Sequence, residues 1–403
     1  MGSATVDNLT ALTKILYPNG IAFTKLRRSK LFMQARHKTD FGGKLWEIKV
    51  TIGDSTGGSS DFSQALQNRG PGKHETFSVY RKKDYVVGSL ENEVILATKG
   101  DKNAVLEALK SELKLKGNEM GDRIARRFWG NEGGSLGVIS SISGTTMVLT
   151  TDADMRHHKP GKLINLASDN GTGASPSAER TGTLTITNVN IGTRTLTFST
   201  DVAATISGAT AGDYLFHPGD YGNAPNGVFA WIPSTAPSGS FLGVDRTKHI
   251  EFTSGFRFSG GGNDMLEVLN DACAVSFEYG TSDMRYGYFN GADFARLMNT
   301  LEGKGAMIRD VSGRDNFAKV SWKGVTVNTP YGEVVCVAEP GVPKGYALLT
   351  DPDDWVVRSL GELPHFSETK FQQESAADAQ QFRLRAFWNL GNENPSNSTV
   401  IAW

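Results

Sequence analysis

The chain has 403 residues, 42 basic and 43 acidic, and a formal net charge of −1. Because the charges balance, the chain as a whole has no strong electrostatic attraction to nucleic acid or to a charged membrane. Its 38% of hydrophobic residues is too high a fraction for a disordered chain. No apolar run approaches the roughly 18 residues of a transmembrane helix, and residues 1–10 lack the pattern of a secretory signal. Cys273 and Cys336 lie in apolar stretches, so we expect both to be buried and to pack as small hydrophobic residues. Two cysteines without a disulfide framework fit a protein that is synthesised in a reducing cytoplasm.

The N-terminal segment is predicted to be a short helix followed by a basic arm. Apolar residues repeat at helical spacing in residues 5–20, and Pro18 and Gly20 end the helix. Residues 25–38 carry several cations and no acid. Two interpretations stay open: a solvated arm, or an arm lying against a polyanion such as DNA. The candidate DNA-facing residues are Arg27, Arg28, Lys30 and Arg36.

Two patterned strands follow, at residues 44–52 and 76–87. In the second, we predict that Phe77, Val79, Tyr85 and Val87 share one face. The connection between the strands is rich in Gly, Ser, Asn and Gln, and a compact domain seldom carries so long a structureless segment. It is either a disordered tip or a hairpin that folds against a neighbouring molecule, and the well-patterned strands favour the hairpin.

An amphipathic helix is predicted from residue 101 to about residue 129. Its apolar stripe consists of Val105, Leu109, Leu113, Met120, Ile124 and Phe128. The opposite face carries Lys110, Lys114, Lys116, Arg123 and Arg127. Gly130 and the Gly133–Gly134 pair end the helix, which stands alone between strand-rich regions.

Residues 135–220 are rich in Thr, Gly, Ser, Val and Ile and predict an inserted all-β module. A weak internal repeat relates the stretch from Val138 to Asp152 to the stretch from Ile186 to Asp201, some 48 residues later. Because Thr- and Gly-rich strands resemble one another by chance, duplication and coincidence both stay open.

An α+β pattern occupies the rest of the chain. The order is a polar loop at 225–241, a strand from His249 to Phe258, and helices from about 264 and from Asn290 to Gly303. A strand pair around 329–332 and strands at 346–349 and 355–360 follow. The late alternating run at 380–388 suggests that the chain returns to an earlier sheet.

The sequence contains no convincing catalytic or metal motif. Gly133–Gly137 matches Gly-x-Ser-x-Gly around Ser135, but a nucleophile elbow needs a strand before the serine and a helix after it, the reverse of this order. The His157–His158 pair lacks further ligands at zinc spacing, so a surface turn is expected. Asp351, Asp353 and Asp354 lack the calcium-loop pattern, and Pro352 favours a capped turn. We therefore predict no catalytic residue, cofactor or metal.

The order of these segments is similar to that of the Hong Kong 97-type major capsid proteins of tailed phages. The phrases that carry the resemblance are Leu242–Arg246, Asn290–Leu297, Val342–Gly345, Asp354–Trp355 and Phe382–Leu390. It covers nearly the whole chain apart from the β insert. It implies an α+β fold with an N-terminal arm, an extended loop, a peripheral domain with a long spine helix, an axial domain and, here, an inserted all-β domain.

The resemblance also implies domain boundaries. They are 1–40 for the N-terminal arm, 41–88 for the extended two-stranded loop, 89–134 for the peripheral domain with its spine helix, 135–220 for the β-rich insert, 221–350 for the axial domain and 351–403 for the return to the peripheral domain. The insert is expected on the outer surface of the shell. The residues expected to contact an adjacent subunit are Trp46, Arg69, Lys73, Arg81 and Lys82. In some relatives a loop lysine is crosslinked to an asparagine of a neighbouring subunit. Lys44, Lys49 and Lys73 are candidates for that lysine only because they lie in the loop, and we predict no crosslink.

The implied function is a non-enzymatic major capsid protein that assembles through pentamers and hexamers into an icosahedral head around double-stranded DNA. Expected partners are copies of itself, portal and scaffolding proteins, a decoration protein and packaged DNA on the inner face, with no membrane. Assembly is expected in the host cytoplasm and residence in the virion. Two alternatives remain: another phage structural protein, such as a tail-tube or decoration protein, and a hydrolase with a β module.

Overall fold

The structure is a computed structural model of the chain. It describes residues 29–93, 102–152, 154–173, 178–279, 284–303, 324–329, 332–366, 372–373 and 378–403. The helix expected at residues 5–20 and the candidate DNA-facing residues Arg27 and Arg28 lie outside these ranges.

Eight α-helices lie in the described part of the chain, and one of them is much longer than the rest. They are α1 (Lys30–Gln34), α2 (Phe62–Gln67), α3 (Lys102–Phe128), α4 (Val202–Thr205), α5 (Val228–Trp231), α6 (Ile250–Ser254), α7 (Met265–Tyr279) and α8 (Gly291–Gly303). The 27-residue α3 confirms the predicted long helix, and its stripe residues Leu113, Met120, Ile124 and Phe128 are fully buried.

The described strands form three large sheets and two hairpins. They are β1 (Arg36–Lys38), β2 (Leu45–Gly53), β3 (Lys73–Tyr80), β4 (Lys82–Glu91), β5 (Ile139–Ser143), β6 (Thr146–Leu149), β7 (Leu163–Ala167), β8 (Leu184–Asn190), β9 (Thr195–Phe198), β10 (Tyr214–Phe216), β11 (Ser240–Phe241), β12 (Val244–Asp245), β13 (Phe256–Ser259), β14 (Tyr286–Phe289), β15 (Val325–Thr329), β16 (Gly332–Ala338), β17 (Tyr346–Thr350), β18 (Trp355–Ser359), β19 (His365–Phe366), β20 (Gln372–Gln373), β21 (Ala379–Asn392) and β22 (Ser398–Ala402).

The first sheet is built on the long strand β21, which pairs with β4, β18, β19 and β20, while β1 pairs with β18. Helix α3 packs on one face, where its apolar stripe meets alternate residues of the two longest strands, such as Val86, Leu384 and Ala386. Strand β21 lies hundreds of residues after β4, so the predicted return of the chain to an earlier sheet is confirmed.

Residues 136–216 form a second sheet, in the order β10-β7-β8-β9-β6-β5. Backbone hydrogen bonds from Leu136 to Leu215 (2.8 Å) and from Ile139 to Asp213 (2.9 Å) join its two edges, so the sheet closes on itself. Its apolar interior includes Met147, Leu149, Ile164 and Leu196 and is a core of its own. The predicted β-rich character of this region is therefore observed.

The two halves of the closed sheet repeat each other in detail. The amide of Gly161 donates to the carbonyl of Ile186 at 2.8 Å, and the amide of Gly212 donates to the carbonyl of Ile139 at the same distance. The hairpins β5–β6 and β8–β9 each shift register once, immediately after Ile139 and Ile186 respectively. These matched bonds and bulges favour duplication over chance for the repeat seen in the sequence.

The third sheet has the order β13-β22-β17-β14-β16-β15 and carries α7 and α8. It includes the predicted strand pair, now β15 and β16. The last strand, β22, pairs with β13 and β17, so residues 398–402 belong to this sheet and not to the first. The predicted assignment of all of 351–403 to the peripheral domain is wrong at its end, because residues 398–402 form a strand of the third sheet and Ile401 packs in the core that this sheet shares with α7 and α8.

Two local predictions are wrong. The run at 76–87 is not one strand: the chain leaves β3 and enters β4 at Arg81, the alternation changes phase, and Tyr85 and Val87 lie on an exposed face. The stretch from His249 to Phe258 begins with helix α6 before β13, because His249 adopts a left-handed conformation (φ 54°) and Gly255 ends the helix at φ 71°.

Candidate assembly surfaces

The segment between β2 and β3 carries an exposed apolar helix. Strands β2 and β3 pair antiparallel, with Ile48 and Val79 in the main core. Between them, the Asp61 carboxylate accepts the amide of Gln64 at 3.0 Å and so caps α2. Phe62 and Leu66, one helical turn apart, are 81% and 49% exposed. This loop helix therefore presents an apolar pair to the outside of the subunit.

The five predicted contact residues divide into two groups. Arg69 and Lys73 are exposed near the loop helix. The other three make contacts inside their own subunit. The Trp46 ring lies against the guanidinium of Arg358, which is 5.2 Å from the ring centre. A guanidinium nitrogen of Arg81 donates to the carbonyl of Phe41 at 2.7 Å. The Lys82 ammonium donates to the carbonyl of Gly222 at 3.2 Å.

Sequence reasoning missed Phe62 and Leu66, because the linker was interpreted as having no secondary structure. The signal was present: an Asp at the N-cap position precedes apolar residues four apart. The structure thus adds these two residues to Arg69 and Lys73 as candidates for an intersubunit contact.

The described candidates for DNA contact on the arm are held inside the subunit. The backbone amide of Lys30 donates to Glu339 at 2.6 Å, and partial burial lowers the pKa of the Lys30 ammonium. Arg36 lies in the first sheet and forms a 2.6 Å ion pair with Glu393. Residues 36–38 therefore form a strand of the first sheet, and the positive charge of Arg36 is matched within the subunit.

A buried ion network joins the long helix to the first sheet and to the end of the closed sheet. Arg123 contacts Asp84 at 2.8 Å and Asp220 at 2.7 Å, and Arg127 contacts the same two carboxylates at 2.9 and 2.7 Å. Both arginines lie on the helix face opposite the apolar stripe, as the sequence predicts, yet they are largely buried, because β4 and the segment at residue 220 bring carboxylates over the helix. The two guanidinium groups hold the pKa of Asp220 below its usual value despite the opposing effect of burial.

A histidine cluster lies beside this network. The prediction of a surface turn is wrong for His158, which is 4% exposed, and burial lowers its pKa to about 3. His217 is also buried, its ring nitrogen Nδ1 lies 3.0 Å from the carbonyl of Leu163, and burial lowers its pKa to about 4. Both rings are therefore neutral near pH 7, in a junction that already contains two arginines.

The other residues that the sequence analysis weighed for catalysis or metal binding lie in ordinary structural elements. Ser135 follows α3 and precedes β5, so helix and strand stand in the order that the sequence predicted. Asp351 accepts the amide of Asp353 at 3.0 Å, which confirms the capped turn. Both cysteines are buried as predicted, and burial raises the pKa of Cys273 to about 12.

Within the described ranges, no three His, Cys, Asp or Glu side chains are grouped to hold a metal ion. Nor does any helix in that part of the chain combine the length and apolar character needed to cross a membrane.

The fold matches solved capsid structures along almost its whole length. The capsid protein of cyanophage A-1(L) superposes with a TM-score of 0.52 and 10% identity over 95% of this chain and 94% of that one. This chain has the Hong Kong 97-type capsid fold. The likeness confirms the predicted Hong Kong 97-type fold, while the division into arm, loop, domains and insert stays a prediction. At this identity, the cyanophage protein establishes the fold alone.

Other solved structures with Hong Kong 97-type folds also match. The capsid of a native GTA particle matches with a TM-score of 0.46 and 8% identity over 96% of this chain and 92% of that chain. The SrpI encapsulin of Synechococcus elongatus matches with a TM-score of 0.43 and 8% identity over 97% and 94%. No protein-family model and no curated protein sequence matches the chain.

Proposed function

We propose that this protein is the shell-forming subunit of a tailed-phage head. Copies of the chain associate into pentamers and hexamers, and these close into an icosahedral shell around double-stranded DNA. The observation that carries the proposal is the match to a cyanophage capsid subunit over nearly the full length of both chains. The role is structural and not enzymatic.

In the proposed assembly, the first sheet and α3 form the peripheral domain, and the third sheet with α7 and α8 forms the axial domain. The closed sheet at 136–216 is an inserted domain on the outer surface. The two-stranded segment with α2 is the extended loop that reaches an adjacent subunit. A portal, a scaffolding protein and a decoration protein are further proposed partners, with assembly in the host cytoplasm and residence in the virion.

The loop helix α2 supplies a specific contact for this assembly. Phe62 and Leu66 expose apolar surface that the described part of their own subunit leaves uncovered, and burial of such side chains contributes about 25 cal/mol per Å². A shell repeats every such contact many times, so a weak single contact suffices for a stable particle. Arg69 and Lys73, exposed nearby, would add polar contacts at the rim.

The proposal is tested by expressing the full chain and imaging the product with negative-stain electron microscopy, together with mass measurement in solution. We expect closed shells, or pentamers and hexamers. Stacked tubes would point instead to a tail-tube protein. A chain that stays monomeric, even with the scaffolding protein from its own genome, would contradict the proposal.

The loop contact has its own variant and its own matched control. Phe62→Ser combined with Leu66→Ser should leave the subunit folded but prevent shell formation. Ile191→Ser removes a comparably exposed apolar side chain (65%) from the closed sheet and should assemble normally. Equal assembly of both variants would remove the loop helix from the proposed contact.

A further inference from the structure

One face of the first sheet combines cations with aromatic rings. Along β4 and β21, alternate side chains point toward α3, and the others point to the opposite side. That opposite side carries a set of six residues, which we call the basic sheet face: Lys83, Tyr85, Val87, Arg383, Arg385 and Phe387. Tyr85 and Val87 are 49% and 44% exposed, so described elements of the subunit leave much of this face uncovered.

The strand register interleaves charge and apolar surface. Arg383 lies opposite Val87, Arg385 opposite Tyr85, and Phe387 opposite Lys83. Directly opposed side chains have Cβ atoms about 5 Å apart, so the three cations share one small patch. The Tyr85 and Phe387 rings meet edge to face with centroids 5.6 Å apart, which fixes the apolar part of the patch.

In the part of the chain that the structure describes, no neighbouring carboxylate neutralises the positive charge of this face. Among the described residues, neither Lys83, Arg383 nor Arg385 forms an ion pair, whereas Arg36 pairs with Glu393 and Arg358 pairs with an aspartate. The guanidinium of Arg383 instead donates to the amide oxygen of Gln381 at 2.8 Å.

Sequence alternation explains this imbalance. Of the residues on this face from 83 to 89 and from 381 to 387, none is acidic. Asp84, the one carboxylate in these two stretches, points to the other side of the sheet, where it meets Arg123.

The basic sheet face also lies on a defined side of the subunit. The closed sheet contacts α3 through Lys162 with Glu119 and through Lys159 with Asp122. Helix α3 covers one side of the first sheet and the basic face is the other, so the closed sheet and the basic face lie on opposite sides. With the closed sheet outside the shell, the basic face is turned toward the interior.

We propose that the basic sheet face contacts the phosphate backbone of packaged double-stranded DNA. This inference rests on the proposed function, since it takes the interior of a DNA-filled shell as its setting. Lys and Arg side chains bind phosphate oxygens without reading sequence, which suits a surface repeated in every subunit.

The test measures binding of the unassembled full-length subunit, whose basic sheet face is accessible, to a fluorescent DNA duplex of mixed sequence, by anisotropy, across a salt series. In the variant Lys83→Gln, Arg383→Gln, Arg385→Gln, the slope of log K against log salt should fall by about 0.9 for each lost phosphate contact, or roughly 2.7 in all. The charge-preserving variant Arg383→Lys, Arg385→Lys should keep the wild-type slope.

A control variant removes the same charge elsewhere. Lys114→Gln, Lys248→Gln, Lys344→Gln alters three exposed lysines outside the basic face and should leave the slope unchanged. If the triple variant unfolds in a thermal melt, Arg383→Gln alone, at an exposed position, should still lower the slope by about 0.9.

Electron microscopy of the same preparations separates the outcomes. A slope equal to wild type in a folded triple variant overturns the inference. So does loss of shells with an unchanged slope, since the face would then be an interface between copies. Failure of the wild-type protein to form shells, even with its scaffolding partner, would overturn the proposed function, while a reduced slope in the variant would still support a DNA-binding face.

Discussion

Replacing Asp84 by Asn should destabilise the subunit strongly, because Asp84 is the carboxylate that joins strand β4 of the first sheet to the long helix α3. Its side chain is 2% exposed and contacts Arg123 at 2.8 Å and Arg127 at 2.9 Å. In the variant, two buried guanidinium groups would share the single carboxylate of Asp220.

The expected cost follows from burial. Removing one partner of a buried ion pair costs about 3–5 kcal/mol, because the remaining charge cannot be solvated. At about 2 °C per kcal/mol, this lowers the melting temperature by roughly 6–10 °C. The measurement is thermal unfolding of the unassembled subunit, followed by fluorescence of the buried tryptophans Trp231, Trp355 and Trp388.

Asp40→Asn is the matched control. Asp40 also makes two contacts to one arginine, Arg358, at 2.9 and 3.0 Å, but its side chain is 63% exposed. Water can replace that interaction, so the melting temperature of this variant should equal that of the wild type. Equal effects of the two substitutions would refute the argument that burial decides the cost.

Two further predictions concern acid and close packing. The neutral state of His158 and His217 contributes stability that is complete above the unfolded pKa of 6.5 and is lost as pH falls toward their folded values of about 3 and about 4. At pH 5 each histidine lowers the free energy of unfolding by about 2 kcal/mol relative to pH 7. The urea midpoints at pH 7 and pH 5 should therefore differ less in the double variant His158→Gln, His217→Gln than in the wild type. Gly88→Ala places a Cβ 2.2 Å from the buried Phe382 ring and should cost about 1–3 kcal/mol in the same urea assay, whereas Gly42→Ala, with no atom within 4 Å, should be silent.

The order of elements could be inferred from the sequence because apolar periodicity is local. The stripe from Leu113 to Phe128 marked α3, and the alternation at 380–388 marked β21. A repeat of 3.6 or 2 residues reports which face an element buries, whatever it packs against. The capsid-type segment order and the β-rich character of the insert rested on such local signals.

Only the tertiary structure decided which polar residues are buried and which apolar residues are exposed. Arg123, Arg127 and His158 have ordinary sequence neighbours, and they are buried because distant segments bring Asp84 and a closed sheet against the helix. Tyr85 continues the alternation of β3, yet it is exposed because the chain changes sheets at Arg81. Sequence periodicity fixes the faces of one element, but the identity of what covers each face depends on contacts between residues far apart in the chain, and these carry no local signal.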